Sequence, residues 1–175
     1  NVAWYLGGAN SPPSLHLGWR IECRFSIVAS VTGDPTPHSN ALLLIIGYGN
    51  TLRRDDGVGP KVADAVAALN LSGVLTLAVP QLTPELAEPI AQADRVVFVD
   101  AAVDSPREVR FRKLASAESS QIMAHAAEPS TMLALARDVF GRTPEAWWLT
   151  IPVEDLGFGE DLSELARAGF ETALD

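Results

Sequence analysis

From residue 41 onward, short unbroken apolar runs alternate with amphipathic stretches of helical period. Residues 41–46, Ala-Leu-Leu-Leu-Ile-Ile, lack the polar alternation of a one-sided strand and predict a central strand buried on both faces. Beyond Gly57-Val58-Gly59, Pro60 suits the first turn of a helix. Val62, Ala65, Val66 and Leu69 then recur at the spacing of one helical stripe. Residues 74–79 predict a second strand. Thr83-Pro84-Glu85 reads as an N-cap, a first-turn proline and an acidic first turn, opening a short helix to about residue 92.

Residues 96–99 are all apolar and predict a third buried strand, ending on Asp100. Residues 109–114 alternate apolar and basic positions, as an edge strand or the exposed arm of a hairpin does. A helix over 129–140 places Met132, Leu135, Ala136, Val139 and Phe140 on one stripe, with Gly141 as its stop. Residues 147–153 predict the next strand, and Leu162, Leu165, Ala166, Gly169 and Phe170 mark a closing helix. Strands alternating with helices of this length predict an α/β fold. The expected form is a three-layer α/β/α sandwich whose central sheet, of about five strands, is mostly parallel with right-handed crossovers.

Residues 1–40 break this pattern. They carry Ser11-Pro12-Pro13, Asp34-Pro35 and Thr36-Pro37, and scatter Trp4, Tyr5 and Trp19 without period. They are expected to be an N-terminal extension, disordered or translated from a non-native start, with residues 41–175 as a single α/β domain. A secretory signal fits less well, because Glu22 interrupts the basic stretch before a short apolar segment.

With 175 residues of which 47% are hydrophobic, the chain fills one core of ordinary size. A formal charge of -9 disfavours nucleic acid and anionic lipid as partners. The single cysteine, Cys23, excludes an internal disulfide and any cysteine-built zinc or iron–sulfur centre, in keeping with a cytoplasmic location. No apolar run reaches the length of a membrane span, so no membrane insertion is expected.

Ligands of an open parallel sheet bind beyond the carboxyl ends of its strands, so the loops after strands are the place to look for chemistry. The first is rich in glycine and ends in paired acids, Asp55 and Asp56. One of these suffices to satisfy free N–H groups at a helix start; the second is left to explain. Asp100 closes an apolar strand, where an acid needs either backbone N–H partners or a function. His125 is the only histidine outside the extension. Two carboxylates and one imidazole from separate loops suit a divalent transition metal with open positions. Gly49, Asn50 and Thr83 are candidate substrate contacts.

No Gly-x-Ser-x-Gly elbow, His-Glu-x-x-His helix or Gly-x-x-x-x-Gly-Lys loop is present. A dinucleotide fingerprint fails because Leu52 stands where its third glycine would be, and Val79-Pro80-Gln81 offers no acid for a ribose. A receiver-type signalling module also uses an acid pair and an Asp after the third strand. Its acids follow the strand directly, however, and it needs a late lysine; the only lysines here are Lys61 and Lys113.

Gly47-Tyr48-Gly49-Asn50-Thr51-Leu52-Arg53-Arg54-Asp55-Asp56-Gly57-Val58-Gly59 resembles the opening motif of the hydrogenase maturation proteases. The resemblance extends through the strand ending on Asp100, through His125 and the helix ending Phe140-Gly141, and takes in Ile151-Pro152. It implies an endopeptidase that removes the C-terminal extension of a [NiFe] hydrogenase large-subunit precursor after nickel insertion. The metal-contacting positions would be Asp56, Asp100 and His125, with Asp56 and Asp100 catalytic. The nickel would arrive with the precursor, and no organic cofactor is implied. Asp55 would hold the loop and a helix start. The opposing reading is a non-enzymatic module of the same architecture, receiver-like or binding the large subunit without cutting it.

Overall fold

The computed structural model describes residues 41–103, 107–117 and 128–175. The 1–40 extension and His125 therefore lie outside the described residues. Five strands, β1 (Leu43–Tyr48), β2 (Val74–Val79), β3 (Arg95–Ala102), β4 (Arg110–Leu114) and β5 (Glu145–Pro152), form one sheet in the order β2-β1-β3-β5-β4. Only β4 runs antiparallel, against β5 at the edge. Among the described residues four α-helices flank the sheet: α1 (Val58–Ala67), α2 (Ala87–Gln92), α3 (Pro129–Phe140) and α4 (Glu164–Leu174). Strand β1 lies in the middle, as its unbroken apolar run requires, with Leu43 to Ile46 all buried. The sandwich is of the expected kind. An antiparallel edge beside β5 is not the all-parallel order of a receiver domain.

Two cores lie on opposite faces. Leu44, Ile46, Val96, Phe98 and Ala146 pack with Ile90, Met132 and Leu133 of α2 and α3. Leu43, Ile45, Val97, Val99, Leu149 and Ile151 pack with Val58, Val62 and Val66 of α1 and with Ala166 and Ala173 of α4. Because residues two apart on a strand share a face, Tyr48, Asp100, Trp148 and Thr150 continue the first of these faces toward the carboxyl ends.

Several boundaries differ from the sequence pattern. A 3-10 turn, Arg54–Gly57, runs directly into α1, which therefore begins at Val58 and places Pro60 within its first turn. Helix α1 ends before Leu69, which is left exposed. Strand β3 does not stop at Asp100 but runs to Ala102, because β5 offers backbone partners as far as Pro152. In α3, Gly141 adopts the left-handed conformation of a helix stop (φ 71°). The stripe turns partway: Met132, Leu133 and Ala136 are buried, whereas Val139 and Phe140 are exposed.

Candidate active site

The glycines of the first loop allow α1 to start against the sheet. A side chain on Gly59 would lie 2.5 Å from the Val99 carbonyl oxygen and 2.6 Å from that of Tyr48; one on Gly47 would lie 1.9 Å from the Gly59 oxygen. These approaches are open only to glycine. Gly49 adopts φ 138°, and a side chain there would collide with the Asp56 carbonyl oxygen. The chain thus turns sharply off β1 and returns so that Asp56 lies beside the loop's own beginning. Asp56 Oδ2 accepts the Asn50 N–H at 2.9 Å, and Asn50 Oδ1 accepts the Leu52 N–H at 3.0 Å.

The adjacent acids have different jobs. Asp55 is fully buried. Its carboxylate accepts the backbone N–H groups of Glu154, Asp155 and Ser163 and the Ser163 hydroxyl, at 2.7–3.1 Å. Ser163 in turn caps α4 by accepting the Ala166 N–H. Burial opposes the Asp55 charge, but these bonds outweigh it and hold the carboxyl below its usual range. Asp55 does fasten the loop, yet the helix start it serves is α4, about a hundred residues away in sequence. Arg53 and Arg54 are engaged with the same distant segment: Arg53 donates to the Leu156 carbonyl, while Arg54 donates to the Phe158 carbonyl and pairs with Asp155 at 2.6 Å.

Asp100 stands within β3, paired in register with Thr150, so it is a strand residue rather than a loop residue. The chain leaves β1 to form β2 on one side and returns to form β3 on the other, so the crevice between the ends of β1 and β3 is the topological switch point, where such sheets bind ligands. Tyr48 and Asp100 flank it. The Tyr48 hydroxyl donates to Asp100 Oδ2 at 2.6 Å. Burial pushes the Asp100 carboxyl up, the Tyr48 and Ala101 hydrogen bonds pull it down, and the Asp56 charge pushes it up again, to about 6. Burial and the Asp100 charge likewise drive the Tyr48 phenol far above its usual range. The buried indole N–H of Trp148 opposes that shift from the Tyr48 side, without reaching hydrogen-bond geometry.

Asp56 is thus near enough for its charge to raise the Asp100 carboxyl, and Gly49 and Asn50 lie against Asp56 within the same loop. Thr83 lies at the start of a 3-10 turn, Pro84–Leu86, where it makes no side-chain cap. The Glu85 carboxyl is held below its usual range by its own backbone N–H first and by the Thr83 side chain second. Among the described residues no cluster of three or more metal-ligating side chains occurs. Tyr48 is the site residue the sequence did not single out. Its signal was a hydroxyl-bearing aromatic closing an otherwise apolar strand.

No protein-family model matches the chain, and no curated protein is significantly similar to it in sequence. Solved structures do match. The [NiFe] hydrogenase maturation protease HybD from Thermococcus kodakarensis superposes over 76% of this chain and 94% of its own, at 25% identity and TM-score 0.57. The maturation protease HycI from Thermococcus kodakarensis KOD1 covers 84% of this chain and 93% of its own, at 23% identity and TM-score 0.63. The hydrogenase maturating endopeptidase HybD from E. coli covers 76% and 87%, at 19% identity and TM-score 0.57.

Proposed function

We infer that this chain, which has the fold of the hydrogenase maturation proteases, is a peptidase that removes the C-terminal extension of a [NiFe] hydrogenase large-subunit precursor once nickel is in place. The observation that carries this reading is the acid pair: Asp100 sits half-buried with its carboxyl at about 6, raised in part by the Asp56 charge. A buried carboxylate with a second carboxylate acting on it favours a cation beside the two. Carboxylate and imidazole donors suit a divalent transition metal, and the family resemblance supplies His125 as the third group.

The nickel belongs to the precursor, so the acids act as readers of its loading state. Tyr48 fixes one Asp100 oxygen, and the Asn50 N–H fixes one Asp56 oxygen, which limits the directions in which the carboxylates can meet a ligand. Once the precursor is seated, a carboxylate with a pKa of about 6 is suited to take a proton from an attacking water. Polarisation of the scissile carbonyl by the precursor's metal is the other available route. Gly49 and Asn50 lie against Asp56 and are the nearer candidates for substrate contact; Thr83 takes that role where the precursor reaches the loop after β2. Among the described residues no helix is long and apolar enough to cross a membrane.

The test incubates the protein with large-subunit precursor, with and without nickel, and seeks a released C-terminal peptide by mass spectrometry. Release from the nickel-loaded precursor, lost in Asp56→Asn and Asp100→Asn with the fold intact, is the expected result. Binding of the loaded precursor without release would mark a non-enzymatic large-subunit-binding module instead.

A further inference from the structure

Beyond the acid pair, the same sheet face carries a second pole of opposite charge. The register aligns Asp100 of β3, Thr150 of β5 and Arg110 of β4 in one row, with Phe98, Trp148 and Arg112 forming the row behind it. Asp100, Thr150, Trp148, Arg110 and Arg112 line a single cleft of about 530 Å³. The Arg112 guanidinium lies over the Trp148 ring, 4.5 Å from its centroid. Among the described residues Arg110 pairs with the neighbouring Glu108, at 3.6 Å between exposed side chains, a pairing worth little in water. Two arginines concentrated on one short strand stand out in a chain of net charge -9. Planar guanidinium groups, one already oriented by an aromatic ring, are suited to carboxylates.

We propose that this cleft seats the segment to be cut away, with Arg110 and Arg112 binding a carboxylate side chain of the precursor's C-terminal extension. The inference rests on the peptidase reading and adds a specificity site to it. The cleft's volume is that of a small-ligand pocket and takes a short run of extended chain rather than a folded body. Neighbouring strands lie ~4.8 Å apart, so the Arg110 backbone is about 10 Å from that of Asp100 across β5; an extended chain rises ~3.3 Å per residue. The carboxylate that the arginines take therefore lies about three residues from the point held by the acid pair. A precursor presents metal at one pole and negative charge at the other, and the enzyme is complementary to both.

The experiment uses the full chain and the nickel-loaded large-subunit precursor from the same genome. Steady-state cleavage is measured for the wild type and for Arg110→Gln/Arg112→Gln, on the natural extension and on one whose acidic residues are changed to amides. Loss of a charge-assisted contact predicts a KM rise of about ten- to hundredfold with kcat little changed. Amidating the extension should raise the wild-type KM equally and add nothing in the double variant. Arg110→Glu/Arg112→Glu should recover cleavage of an extension whose acids are replaced by lysine. An unchanged KM, additive losses, or a natural extension without an acid within about five residues of the cut overturns the proposal. A second arm follows the Trp148 indole N–H resonance during titration with the synthetic extension peptide. A shift with the acidic peptide and none with its amide counterpart supports the cleft even where the wild type fails to cut, an outcome that would sink only the peptidase reading. No shift with either peptide overturns the cleft.

Discussion

Replacing Asp100 by Asn should make the protein more stable at neutral pH while abolishing precursor cleavage. The Asp100 carboxyl moves from an ordinary 3.8 to about 6 in the fold, mainly because burial penalises its charge. Each pH unit between unfolded and folded values is worth ~1.4 kcal/mol, so the charged form costs the native state ~3 kcal/mol. The sign follows from proton counts. Below about pH 4 both states hold the proton and nothing is lost. Between about 4 and 6 the unfolded chain ionises first, and stability falls as pH rises. Above 6 both are ionised and the full penalty persists. An amide keeps an acceptor for the Tyr48 hydroxyl and carries no charge. Urea unfolding of the two proteins from pH 4 to 8 should show the Asp100→Asn advantage growing from near zero to ~3 kcal/mol, and taking the difference cancels the other acids. An advantage that is flat with pH, or a variant less stable than wild type at pH 7.5, would refute the idea that this carboxylate is held at a cost.

Four further outcomes follow from the geometry. Asp55→Ala strands four donors from two distant segments and should cost ~3–5 kcal/mol in urea unfolding, with loss of most of that penalty's additivity in a double-mutant cycle with Ser163→Ala. Because its carboxyl is held below its usual range, the Asp55 contribution is present above the unfolded value, near 3.8, and fades as pH falls through the folded one, so Asp55→Asn should flatten acid unfolding. Gly59→Ala drives a methyl to 2.5 Å from the Val99 oxygen and should lower stability by ~1–3 kcal/mol or prevent folding, read as a fall in Tm; an unchanged Tm would show that α1 can back away from the sheet. Thr83→Ala should leave precursor cleavage intact unless the substrate reaches the loop after β2, a question that kcat/KM decides.

The sandwich was legible because the runs at 43–46 and 96–99 admit no one-sided strand, and because Pro129 and Gly141 bound α3 by rules local to the helix. What failed locally failed for non-local reasons. Nothing near Asp100 in sequence says that β5 will pair past it, and so the acid was assigned to a loop. Val139 and Phe140 complete a helical period, but periodicity cannot tell how far along a helix its packing partners continue. The two acids of the first loop carry identical chemistry. Their separation into a buried anchor and a crevice-facing group depends on Glu154, Asp155 and Ser163, about a hundred residues downstream. The arginine pole was visible as basic alternation in 109–114, which fixes a common face without saying which strand lies beside it.

The division of labour between Asp55 and Asp56 explains why the glycine loop ends in two acids rather than one. On the proposed function, a site that accepts a metal-bearing substrate needs a carboxylate that is not consumed by its own scaffold, yet a loop folded this tightly needs a buried acceptor to hold it down. Asp55 meets the second need by satisfying three backbone donors and the Ser163 hydroxyl, while Arg53 and Arg54 fasten the 155–159 segment from the outside. With the loop so anchored, the Asp56 carboxylate accepts the Asn50 N–H, and its charge acts on Asp100. The proposed reading thus gives anchoring to Asp55 and ligand-facing chemistry to Asp56 and Asp100. The Asp55 carboxyl is held low because its charge is fully met; the Asp100 carboxyl rises because its charge is not, and that unmet charge is what a cation arriving with the precursor would satisfy.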